Sequence, residues 1–151
     1  MLMNPALNNA LVVSESVLIH AMPAKVWATL TTPALIKSYL FGTETSTDWK
    51  TGSPITFRGV YGPESHPYRD KGVILENVPN KTLRYSYWSG FSGLEDRSEN
   101  YASVTYSLEQ GDRGTQFSWT QRGYPDDARY EHSKNGMKAL LAQIKAIAER
   151  P

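Results

Sequence analysis

The residues best able to do chemistry are few and poorly grouped. Three histidines, His20, His66 and His132, are scattered with no His-x-x-x-His spacing, the spacing that sets two imidazoles on one helical face around a metal ion. No metal site is expected. The chain has no cysteine, which removes disulfides, thiol nucleophiles and thiolate ligands together. Acidic pairs occur at Glu95-Asp96 and Asp126-Asp127. The first falls in a polar stretch and the second at an expected helix start, where carboxylates complement the helix dipole without acid–base work. Gly-x-Ser-x-Gly, phosphate-loop and dinucleotide fingerprints are lacking, and no cofactor is expected. That leaves Tyr85, Tyr106, Gln121 and His132 as polar residues that could act on the wall of an interior cavity, His132 because it lies early on the last helix.

Such a wall needs elements to hold it. From Asp126 to Glu149, Met137, Leu140, Leu141, Ile144, Ile147 and Ala148 recur at three- and four-residue steps. On a helix they form one apolar stripe, with Lys134, Lys138, Lys145 and Glu149 on wetter faces. At about 1.5 Å per residue the helix runs about 35 Å, so its stripe needs a broad apolar partner. Five segments offer one: Pro54 to Val60, Asp70 to Asn77, Thr82 to Trp88, Tyr101 to Glu109 and Gly114 to Arg122. Each is rich in β-branched and aromatic residues and bounded by Gly, Pro, Asn or Asp, the pattern of an antiparallel meander. Alternation places Leu83, Tyr85 and Tyr87 on one face, with Ala102, Val104, Tyr106 and Leu108 and with Phe117, Trp119 and Gln121. Serines, threonines and Arg84 take the other face, as in a sheet covered on one side only. Thr43 to Asp48 has room for a further short strand. Ahead of the sheet, Val13 to His20 reads as the first strand, and Pro23 and Thr32-Pro33 each open a short helix with proline at its first position. Gly62 to Arg69 and Ser89 to Asn100 read as the longer loops.

Glycine inside a helix costs about 1 kcal/mol relative to alanine. Gly136 in the last helix therefore points to a close approach of helix and sheet at Gly136-Met137.

The length of 151 residues predicts one domain, residues 13–151, after a flexible lead-in of residues 1–12. A net charge of +1 from interspersed acids and bases argues against a nucleic-acid partner. No stretch approaches the roughly 20 apolar residues of a membrane helix, and the lead-in has no basic residue or signal-length apolar run, so a cytoplasmic protein is expected. A monomer or homodimer is compatible with the sequence.

Particular residues add a family resemblance. Pro23-Ala-Lys-Val-Trp27-Ala-Thr-Leu30-Thr-Thr-Pro33 resembles the Pro-x-x-Val-Trp-x-x-Leu-Thr-x-Pro signature of the SRPBCC superfamily, also called Bet v 1-like or START-related. Within it the chain is similar to the activator of Hsp90 ATPase homologue 1-like (AHSA1-like) branch. Asp48-Trp49-Lys-Thr-Gly52, Gly72-Val-Ile-Leu-Glu76, Pro79-Asn-Lys-Thr-Leu83-Arg-Tyr-Ser-Tyr87 and Gly114-Thr115-Gln-Phe117 resemble successive strands and turns of that family. Asn135-Gly136-Met137 with Leu140 and Leu141 resembles its helical Gly-Trp-x-x-x-Leu element. The matches run from about Glu15 to Ala148. Met137 stands where the family usually has tryptophan, and Tyr87 where it often does.

The resemblance implies a helix-grip α+β fold: a curved antiparallel sheet of about six to seven strands, two short helices after the first, and a long C-terminal helix across the sheet. It also implies a small apolar or aromatic ligand held between helix and sheet. The expected lining is Phe57, Tyr85, Tyr87, Tyr106, Phe117, Trp119, Gln121, Gly136, Met137, Leu140, Leu141 and Ile144. Two other roles stay open, an interaction with an Hsp90-type chaperone and an enzyme of cyclase or hydrolase type.

Overall fold

The computed structural model describes residues 5–151; residues 1–4 of the expected lead-in lie outside the described residues. Seven strands form one antiparallel sheet: β1 (Asn8–Ile19), β2 (Glu44–Ser46), β3 (Pro54–Tyr61), β4 (His66–Val78), β5 (Thr82–Ser89), β6 (Ala102–Gly111) and β7 (Gly114–Tyr124). Their order is β1-β7-β6-β5-β4-β3-β2, so six consecutive strands meander and β1 returns beside β7. Helices α1 (Pro23–Thr31) and α2 (Pro33–Tyr39) follow β1, and α3 (Asp127–Ala148) follows β7. This is the helix-grip α+β arrangement.

The alternation expected from sequence sets the faces. Tyr85 lies opposite Val104, and Val104 opposite Gln121, while Tyr106 lies opposite both Leu83 and Trp119. Leu83, Tyr85, Val104, Tyr106, Phe117 and Trp119 are buried. On the wet face, hydroxyls pair across strands, Ser14 with Thr120 at 2.8 Å and Ser16 with Ser118 at 2.7 Å.

Three elements depart from expectation. β1 begins at Asn8, so residues 8–12 are strand, held by pairing with Arg122 and Tyr124 of β7. β4 begins at His66, because Tyr61 pairs with His66 and leaves only a tight turn where a longer loop was expected. Thr32 takes the extended N-cap backbone of α2, yet its hydroxyl makes no capping bond; proline at N1 starts both short helices.

The cover over the sheet is shared among all three helices. Val26 and Leu30 of α1 and Ile36 and Tyr39 of α2 are almost wholly buried in the same core as Met137, Leu141 and Ile144 of α3. Such burial is worth about 1.5 to 3 kcal/mol per large side chain. Its C-terminal half is anchored firmly, since α3 packs mainly along β1. The Lys145 ammonium donates to the Leu18 carbonyl at 2.7 Å and to Glu149 at 2.6 Å, and the Glu149 carboxylate also accepts from the His20 amide at 2.8 Å.

These bonds, the Lys145 ammonium first, hold the Glu149 carboxyl below its ordinary value of 4.5. A carboxyl whose folded value lies below its unfolded one binds fewer protons in the native state. Its stabilisation is complete above the unfolded value and is lost as pH falls through the folded one. Glu149→Gln is expected to lower stability at pH 7 and to flatten the decline below pH 4.5; urea unfolding across pH checks this, and parallel curves for the two proteins would refute it.

Candidate functional site

A cleft of about 900 Å³ opens between the sheet and the N-terminal half of α3. Phe57 of β3, Tyr85 and Tyr87 of β5, Trp119 and Gln121 of β7 and Met137 and Leu140 of α3 line it, each delivered to the inner face by strand alternation or helical spacing. The rings pack tilted or edge-on: Phe57 lies 5.7 Å from Tyr85 and 6.1 Å from Tyr87 between centroids, and Tyr106 lies 4.6 Å from Trp119.

The remaining residues expected at the wall sit elsewhere. Phe117, Leu141 and Ile144 are fully buried in the core, and Tyr106 lies beneath Tyr85 rather than on the cleft surface. Gly136 corrects the expectation most clearly. It is solvent exposed, and an added Cβ would meet nothing within 4 Å, so the glycine itself makes no close approach to the sheet. Gly136 lies on the outward face of α3 with Asn135, while Met137, the next residue, is buried in the core. Gly136→Ala is expected to raise stability by about 0.8 kcal/mol through helix propensity and a less flexible unfolded chain. The check is a higher urea midpoint with unchanged slope; an unchanged or lower midpoint would show that the glycine serves packing after all.

Some polar groups in the wall satisfy one another, whereas Asp70 Oδ1 and Trp119 Nε1 are buried without a partner among the described residues. The Tyr85 and Tyr106 hydroxyls share a hydrogen bond of 2.8 Å, and the Gln121 amide donates to the Gly123 carbonyl at 3.2 Å. Burial pushes the Tyr85, Tyr87 and Tyr106 phenols above the ordinary 10.0, and for Tyr87 the neighbouring Asp70 charge adds to it. These phenols stay protonated at neutral pH and can orient a ligand without acting as bases. His132 is exposed on α3 at the cleft edge. Among the described residues, no three His, Asp or Glu side chains gather as a metal site would require, and no helix is long and apolar enough to cross a membrane.

The sequence reading missed Asp70, Arg129 and the rim. Asp70 is 9% exposed on the inner face of β4, opposite Phe57 on β3 and Ser89 on β5. Its Oδ2 accepts the Tyr87 hydroxyl. Arg129, in the first turn of α3, holds the Asp126 carboxylate and the Phe91 carbonyl, so the β5–β6 loop is tied to the helix at the mouth. The Asp126 carboxylate also caps α3 by accepting the Arg129 amide at 2.8 Å. Phe41, Val60, Tyr61 and Phe91 form the exposed apolar rim.

The sequence profile described as "Activator of Hsp90 ATPase homolog 1-like protein" matches residues 20–149. The chain belongs to this family. A solution structure of a protein from Cytophaga hutchinsonii is 34% identical, covers 92% of this chain and 94% of its own, and superposes with a TM-score of 0.78. A crystal structure from Chromobacterium violaceum, 21% identical, covers 94% of this chain and 99% of its own at a TM-score of 0.80. Another, from Mesorhizobium loti, is 22% identical, covers 92% and 97%, and has a TM-score of 0.71. No curated protein matches the chain. The Pro23-x-x-Val26-Trp27 segment opens α1, where Val26 is wholly buried and Trp27 packs against the core.

Proposed function

We propose that this chain binds a small hydrophobic or aromatic molecule between the sheet and α3. The observation that carries the reading is the cleft of about 900 Å³ walled by aromatic side chains with a few inward polar groups, the build of a small-molecule site. A cytoplasmic monomer or homodimer goes with this role. A thermal-shift and NMR screen with lipids, sterols, polyketides and aromatic acids tests it, with Leu140→Trp as the control. The larger side chain fills the cleft from α3 and is expected to abolish binding while unfolding remains cooperative. No saturable shift with any class, or equal binding by Leu140→Trp, would overturn the reading.

A second reading, contact with an Hsp90-type chaperone, draws on the exposed apolar rim of Phe41, Val60, Tyr61 and Phe91, since clustered apolar surface at a mouth can serve a protein partner as well as a ligand. Chaperone ATPase turnover left unchanged by saturating protein would dispose of it.

A further inference from the structure

Asp70 is out of keeping with its surroundings. Alternation along β4 makes the inner face Tyr68, Asp70, Gly72 and Ile74, and the cleft positions around it are the aromatic Phe57 and Tyr87 and the small, neutral Ser89. Tyr87 donates to one carboxylate oxygen, Oδ2. The second, Oδ1, is buried with no hydrogen-bond partner among the described residues. A carboxylate oxygen withdrawn from water and left unpaired is costly, and a donor brought to it recovers that cost.

No basic group among the described residues serves this purpose. Among the described residues, Asp70 is the one acidic side chain in the cleft wall, and the cleft's cationic or titratable nitrogens, Arg129 and His132, are on α3. The Arg129 guanidinium is already held by Asp126 and the Phe91 carbonyl. Lys71, next in sequence, points to the other face and pairs with Asp96. The interior thus carries one unneutralised negative group among π faces.

Building on the ligand-binding reading above, we propose that the ligand is an amine: a ring-bearing apolar body lying against Tyr85, Trp119 and Leu140, with one protonated nitrogen paired to Asp70. Three features of the site favour that head group. A charge-assisted N–H···carboxylate bond is stronger than a neutral one, the rings of Phe57 and Tyr87 attract a cation, and a carboxylate head would meet like charge. An alcohol offers Asp70 a donor without the charge.

The test uses the full chain and three tricyclic diterpenes of one carbon skeleton, dehydroabietylamine, dehydroabietinol and dehydroabietic acid, with dissociation constants read from tryptophan fluorescence at pH 7. The amine is expected to bind about tenfold more tightly than the alcohol, the order of a hydrogen bond to a charged group, and the acid most weakly. Asp70→Asn should bring the amine-to-alcohol ratio close to one. Tyr87→Phe, which takes away the carboxylate's protein donor, should keep or widen the ratio, and it provides a reading if Asp70→Asn fails to fold.

An acid or alcohol that binds as tightly as the amine, a ratio that survives Asp70→Asn, or a ratio that vanishes in Tyr87→Phe overturns the amine assignment and leaves the cleft as a binding site. Failure of all three to bind overturns it as well. If the wider hydrophobic screen is also negative, the ligand-binding reading falls with it.

Discussion

Gly72→Ala is expected to cost about 3 kcal/mol, at the upper end for overpacking, and to lower the melting temperature by about 10 °C for a chain of this size. A Cβ at position 72 would fall 1.6 Å from the backbone carbonyl oxygen of Ser86 on the next strand. A side-chain tip could swing away from such a clash; a carbonyl held in a sheet cannot, so β4 and β5 would have to separate. The ladder is already irregular there. The Val73 amide is taken up by the Ser86 hydroxyl at 2.9 Å, and the register shifts between Ile74 and Glu76. Irregularities of this kind bend a sheet. Gly72 is thus a hinge of the curvature, and it lies two residues from Asp70 on the same face. Separation of the strands would also loosen the Asp70–Tyr87 bond, so the variant should weaken ligand binding beyond its effect on folding. Gly111→Ala is the matched control, because a Cβ there meets nothing within 4 Å; its stability should stay within about 0.5 kcal/mol of the parent. Equal midpoints for the two variants would show that β4 and β5 yield easily and that the curvature does not depend on Gly72.

The sheet and its inward face were legible because a period of two is a direct consequence of backbone geometry. Alternation alone assigns Tyr85, Val104, Tyr106, Phe117 and Trp119 to one side. Asp70 was equally open to that logic and was passed over. Counting back from Ile74 through Gly72 puts it on the inner face, but Arg69 and Lys71 on either side make the segment look like a polar strand entrance. Arg129 carried no such signal, since its partner, the Phe91 carbonyl, is 38 residues away in sequence. Gly136 was misread for a different reason. Its composition-level cost is the same whether it faces a sheet or open solvent, and only the face that α3 turns toward the sheet, a tertiary property, decides between them. The rim residues Phe41 and Tyr61 come together from strands and turns whose register had to be known first. The fold was therefore written in local periodicity, and the site depends on where long-range pairing places a few exceptions to it.

Two adjacent leucines on α3 separate sealed core from open cleft. Leu141 is 2% exposed and packed in the main core; Leu140 is half-buried and borders the cleft. Truncating Leu141 to alanine removes apolar contacts and leaves an enclosed void, and a change of that kind is expected to cost about 3 kcal/mol. At Leu140 the neighbouring space is already open, so no new void is closed off. Only the burial of part of one side chain is lost there, and about 1 kcal/mol or less is expected. Ligand affinity should reverse the order. Leu140→Ala withdraws a contact from any molecule in the cleft, while Leu141→Ala, measured well below its melting temperature, should bind nearly as the parent does. Urea unfolding and ligand titration on the same two variants check both halves. Similar stability losses at the two positions would mean that α3 closes on the sheet along its whole length and leaves no room for a ligand, whereas a large loss at Leu141 alone places the opening of the site within a single residue of the core.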